Sequence, residues 1–184
     1  MLFRKSPFIG LDISNGKIKM AEIEMQNSSI KIAQLACCDL PALAIEGDMI
    51  TDPVKIGASI KRLIKDESFK GKRVISMVTG NSVFMQNIIM PKMKLAELRN
   101  AAFFQAMPLL PIAVEEAAID IFPLQSIADG ESEQVEVFLV AAQELQVVML
   151  SRAVKNAGLK LIAVEIEPLA LHRVFDCNDN HPIW

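Results

Sequence analysis

A chain of 184 residues that is 52% hydrophobic and 22% charged can bury a sizeable core, and its formal charge of −3 argues against nucleic acid as a partner. Aromatics are only 5%, with no tyrosine, so the core has to be built from Ile, Leu, Val, Ala and ten methionines. Three cysteines, two of them the adjacent Cys37 and Cys38, are a poor disulfide framework, and His172 and His181 lack zinc-ligand spacing with them; buried thiols in a reducing compartment fit better.

The first seven residues are short, break at Pro7 and carry no leader pattern. Apolar runs stop well short of the ~20 residues of a membrane span, so direct membrane insertion is not expected and a membrane link has to pass through a partner. Residues 8–13 read as a buried strand that delivers Asp12 to a Ser14-Asn15-Gly16 turn. Residues 17–25 alternate, with Ile18, Met20, Ala21 and Ile23 set against Lys17, Lys19, Glu22 and Glu24. A turn at 26–29 leads to a third strand over 30–40 and then a loop over 41–48.

Thr51 or Asp52 caps a helix that Pro53 opens, with Val54, Ile56, Ile60, Leu63 and Ile64 on its apolar stripe. A short strand at 74–78 closes on Thr79-Gly80-Asn81. Residues 82–90 form a strand stopped by Pro91, and 94–107 a helix with Leu95, Leu98, Ala102, Phe103 and Met107 near one face. Strands at 117–124 and 135–142 flank a polar loop over 126–133. A helix over 144–156 ends at Gly158, a strand spans 161–166, and Pro168 opens a last helix through Phe175. The tail, 176–184, has no periodic signal and reads as frayed.

The first hairpin carries the chemistry. Backbone N–H groups of Ser14, Asn15 and Gly16 could face a phosphate chain, with Lys19 neutralising charge and Asp12 holding Mg²⁺ through water. The plain alternative is an ordinary hairpin in which Asn15-Gly16 supplies the positive φ of a type I′ turn. No catalytic residue can be named. Glu165 and Glu167 flank a strand end, either aimed at a cleft or simply solvated. Phe103, Phe104, Met107, Leu109, Leu110 and Ile112, with Met85, Met90 and Met93 nearby, either pack the core of a small module or line a peptide groove.

Three antiparallel strands, helix, strand, then helix, strand, helix, with a strand–helix–strand–strand insertion at 82–142, resembles a ribonuclease-H-like domain of the actin/Hsp70/sugar-kinase superfamily in its FtsA-like branch. Within that branch the chain resembles the PilM family of type IV pilus assembly proteins. Four segments carry the likeness: Ile9-Gly10-Leu11-Asp12-Ile13 with Lys19; Gln86 through Met93 leading to Glu97-Leu98; Ala141-Ala142; and Ala157-Gly158-Leu159-Lys160 followed by Val164 through Leu171.

The resemblance implies an α/β fold in which a mixed five-stranded sheet with helices, residues 1–81 and 143–175, carries the inserted module. It implies ATP and Mg²⁺ as ligands of the full-length protein, held between two such domains. This chain stops where the second domain's phosphate hairpin should begin, so it is expected to bind nucleotide weakly or not at all. Ser14 stands where the family usually has glycine. The resemblance also implies a cytoplasmic, actin-like adaptor, peripheral to the inner membrane, that docks the N-terminal segment of the membrane protein PilN in a groove beside the module. The groove residues and the oligomeric state stay unassigned. The rivals are an FtsA-type filament former and a small-molecule kinase; any ATPase activity is expected to be weak.

Overall fold

The computed structural model describes residues 7–26, 29–79, 83–129 and 132–175. The centre of the turn at 27–28, the strand exit at Gly80 and Asn81, the loop tip at 130–131 and the tail with Cys177 and His181 lie outside the described residues. Two compact units divide the chain: Met1–Thr79 with Val148–Trp184, and Gly80–Val147.

The first unit is built on a five-stranded sheet. β1 (Phe8–Ser14), β2 (Lys17–Gln26) and β3 (Ser29–Asp39) form an antiparallel meander, and β6 (Arg73–Val78) and β10 (Lys160–Ile166) add in parallel, giving the order β10-β6-β1-β2-β3. Asn15 (φ 51°) and Gly16 (φ 74°) both sit in the left-handed region, so the β1–β2 turn is the two-residue type whose twist matches the strands it joins. A parallel neighbour needs a crossover. Helix α1 (Pro53–Asp66) supplies it between β3 and β6. Asp52 rather than Thr51 is the cap, its Oδ1 accepting the Val54 and Lys55 N–H groups at 3.1 and 3.0 Å.

One sheet face is core. Ile9, Leu11, Ile18, Met20, Val74 and Val78 are buried, as are Ile56, Ile60 and Leu63 of α1 and Leu150, Ala153 and Val154 of α3 (Glu144–Asn156). The two helices meet closely at Gly57, where a Cβ would lie 2.5 Å from that of Asn156. Gly158 (φ +77°) ends α3 as its sequence position predicts. Helix α4 (Glu167–Phe175) follows β10 directly.

Two sequence expectations fail here for the same reason. Strand alternation is strict, so Glu22 shares the buried face with Ile18 and Met20, while Ala21 and Ile23 turn to the other. Glu22 is 3% exposed and satisfied by the N–H groups of Lys70 (2.7 Å) and Gly71 (2.6 Å). Likewise Cys37 and Cys38 cannot both be buried: Cys37 is exposed, and Cys38 is half-buried with its thiol pKa pushed up by that burial. The loop expected over 41–48 holds β4 (Ile45–Glu46), which pairs with β5 (Met49–Ile50) in a minimal ladder.

The second unit is the expected strand–helix–strand–strand module. β7 (Val83–Pro91), β9 (Ser132–Gln143) and β8 (Ala117–Asp129) form a sheet in the order β7-β9-β8, all antiparallel. Its core holds Met90, Leu98, Ala102, Ala106, Ile121, Val135, Val137 and Leu139. Most of the expected polar loop over 126–133 is ladder instead, because a register shift between Pro123 and Gln125 lets the β8–β9 hairpin continue past Pro123. Helix α2 (Leu95–Ala106) buries Leu98, Ala102 and Ala106 at i, i+4 and i+8. Phe103, Phe104 and Met107 are exposed, so the expected apolar cluster splits: Met90 belongs to the core, with Met93 and Leu110 packed against it, while the aromatic pair faces outward.

Candidate functional site

The chemistry-bearing hairpin opens onto a cavity of about 780 Å³ in the first unit. The alternation that buries Leu11 and Met20 on the core side puts Gly10, Asp12 and Ser14 of β1 on the opposite face. The cross-strand partner of Asp12 is Lys19, and that of Lys19 on β3 is Cys37. The cavity is walled by Asp12, Lys19, Ala21, Leu35, Cys37, Ile75 and Met77 from the sheet. Glu165 closes it from the end of β10, with Ala170 and Arg173 on α4.

Lys19 Nζ donates to Asp12 Oδ2 at 2.8 Å and lies 3.4 Å from Ser14 Oγ. Asp12 Oδ1 is buried and accepts nothing from the protein. A carboxylate oxygen removed from water without a donor is costly. It is therefore a ready position for a water or a hydrated cation beside Lys19. At the opposite wall the Arg173 guanidinium pairs with Glu165 Oε2, while Glu165 Oε1 accepts the Ile166 N–H at 3.2 Å. Ser76 sits behind the cavity with its hydroxyl donated to the Leu11 carbonyl at 2.8 Å, which fixes β6 against β1.

Among the expected site residues, Asp12, Ser14 and Lys19 are brought together. Asn15 and Gly16 stand at the exposed tip of the turn and are not part of the cavity wall. Lys17, one pair closer to the turn, bridges to Asp39 at 2.9 Å, and that hydrogen bond raises the ammonium pKa. Glu165 is at the cavity, so of its two sequence readings the cleft-facing one describes its position. Arg173 gives no signal in the sequence, because its approach to Glu165 depends on how α4 leaves the strand. Among the described residues, no group of three or more His, Cys, Asp or Glu is arranged to hold a metal ion by itself.

In the second unit a smaller groove of about 370 Å³ runs past Phe84, Leu110, Pro111 and Ile112. Leu110 and Ile112 come from the apolar cluster singled out in the sequence; Phe103, Phe104 and Met107 do not line this groove.

A mixed five-stranded sheet of this order, with a carboxylate at its central hairpin and a separate module between β6 and α3, is the actin-type α/β fold. Within it the chain belongs to the PilM family: the model for type IV pilus assembly protein PilM matches residues 10–181. A solved structure described as a PilM-PilN type IV pilus biogenesis complex matches with 25% identity and a TM-score of 0.81, covering 91% of this chain and 49% of that one. The chain thus spans about half the length of that relative. The cytoplasmic domain of EpsL, an inner-membrane component of the type II secretion system of Vibrio cholerae, matches in fold at 12% identity and a TM-score of 0.56, covering 90% of this chain and 59% of that one. No helix among the described residues is long and apolar enough to cross a membrane.

Proposed function

We propose that the chain serves a type IV pilus machine as a cytoplasmic, actin-like adaptor. It docks the N-terminal segment of a PilN-like inner-membrane protein and is held at the membrane through that partner. The observation that carries this reading is the 0.81 TM-score to a PilM in complex with PilN over 91% of the chain, within a family match that spans both units. The groove at Phe84, Leu110 and Ile112 supports it from the chain's own chemistry: it is mostly apolar and, at about 370 Å³, has room for a few side chains of a peptide.

The reading includes nucleotide with Mg²⁺ as a ligand of the full-length protein. Supporting this are the cavity beside Asp12, the buried Oδ1 without a protein donor and Lys19 within 2.8 Å of the same carboxylate. Mg²⁺ bound by one or two carboxylates keeps several waters and takes its remaining ligands from phosphate, which suits a site with few protein donors. Asp12 would hold the hydrated ion and Lys19 the phosphate charge. No side chain is assigned as a catalytic base, and nucleotide is read as tuning shape rather than as a turned-over substrate.

Co-expression with a tagged PilN-like protein tests the adaptor reading. The two are expected to co-purify in a fixed ratio, and Ile112→Asp, at a groove residue outside the module's core, is expected to lose the partner while the chain stays folded. Failure of the folded, unsubstituted protein to co-purify would count against it.

A further inference from the structure

Charge enters the first unit's cavity from two walls. On the hairpin side stand Asp12 and Lys19; on the other stand Glu165 at the end of β10 and Arg173 on α4. Each carboxylate holds one cation, so the four groups neutralise one another. The remaining lining side chains are neutral. We infer that Arg173 is a second anion-binding group of this cavity, kept in place by Glu165 until a magnesium-bound polyphosphate enters. The inference rests on the nucleotide reading above and extends it to the wall that reading leaves unused.

The exchange gives each of the four charged groups a new partner. A polyphosphate brings oxygens to which Lys19 and Arg173 can turn, and a guanidinium offers them a planar, two-toothed donor set. The Mg²⁺ that accompanies it brings charge and water donors to the two carboxylates left behind. Asp12 has an oxygen already buried and without a protein donor. Since no three-ligand protein cluster exists among the described residues, the ion has to arrive with its phosphates. Arg173 lies on α4, so its change of partner acts on the helix that begins one residue after β10 ends. Ligand at the hairpin is thereby reported to α4.

Titration of the ¹⁵N-labelled chain with magnesium tripolyphosphate, followed by NMR, tests this without reference to turnover and reads weak affinities. The expected result is saturable movement of the Asp12 and Lys19 amides together with the Arg173 Nε–H resonance. Arg173→Gln is expected to weaken affinity about tenfold, the loss of one charge-assisted contact. Arg173→Lys, which keeps the cation but not the two-toothed geometry, should fall between the unsubstituted chain and Arg173→Gln. Glu165→Gln should bind at least as tightly. If Glu165–Arg173 is only a clamp for α4, both Gln variants will lower Tm and leave affinity unchanged, which overturns the inference. Movement of Asp12 and Lys19 with a still Arg173 Nε–H in the unsubstituted chain overturns it too, even where a variant fails to fold. No saturable movement anywhere removes the nucleotide reading itself, and this inference with it.

Discussion

Glu22 is a charged side chain in a strand of apolar neighbours, and it is there for the backbone. The chain leaving α1 turns at Lys70 and Gly71 with two N–H groups directed inward, and both bond the Glu22 carboxylate. Glu22→Ala leaves the buried Gly71 donor and the partly buried Lys70 donor without their acceptor and is expected to cost about 2 kcal/mol, read as a lower urea midpoint; Glu22→Gln, which keeps an acceptor, should cost clearly less. Asp12 is the converse case, a partly buried carboxylate with one oxygen that the fold leaves without a donor. The difference between a carboxylate the fold satisfies and one it leaves with an open oxygen is invisible in a sequence where both lie on alternating strands. Asp12 is legible because its turn is distinctive. Glu22 is misplaced by periodicity because Ala21 and Ile23 are as apolar as Ile18 and Met20, so hydrophobicity does not identify the buried face. Arg173 is illegible because its partner lies across a strand–helix junction.

At the scale of elements, α1 shows how local chemistry and packing combine. The Lys55 N–H, with help from the Lys55 side chain and the Val54 N–H, holds the Asp52 carboxyl below its ordinary value of 3.8. A carboxyl whose folded pKa is depressed stabilises fully above its unfolded pKa and loses that contribution as pH falls through the folded value. Acid titration of stability should therefore show a component in that window that Asp52→Asn removes. Asp52→Ala should lower Tm at neutral pH by roughly 2–4 °C.

The middle of α1 is constrained from outside. At Gly57 a Cβ would stand 2.8 Å from the Ala153 carbonyl oxygen as well as 2.5 Å from the Asn156 Cβ. Gly57→Ala should cost about 1–3 kcal/mol of overpacking, more than the roughly 1 kcal/mol that alanine gains over glycine in a helix; chemical denaturation measures the difference. The helix bounds are legible from capping residues and period. The glycine's purpose is not, since it depends on a helix far along the chain. The full length of the β8–β9 hairpin escapes sequence reading because Ser126 and Glu133 look like loop residues although each has a place in the ladder.

For the whole molecule, the order of elements carries more information than any motif. The hairpin with Asp12 and Asn15-Gly16 is compatible with many folds, and its tip is an ordinary type I′ turn. Three strands, a helix, a strand and an interposed module narrow the choice to one branch of a superfamily, four short segments narrow it to one family, and the match over residues 10–181 agrees. The two units carry different features, a cavity with two ion pairs on largely apolar walls in the first and a smaller groove without charged lining in the second. That separation predicts independence. Asp12→Asn should abolish any response to magnesium polyphosphate without weakening peptide capture, and Ile112→Asp should do the reverse.

Adaptor function is tested most directly by fluorescence anisotropy of a labelled peptide, the cytoplasmic N-terminal segment of a PilN-like protein, titrated with the chain. The predicted result is saturable binding that Ile112→Asp weakens at least tenfold, a loss of about 1.4 kcal/mol or more, and that Asp12→Asn leaves unchanged. A flat titration with folded, unsubstituted protein, or binding indifferent to Ile112→Asp, would contradict it.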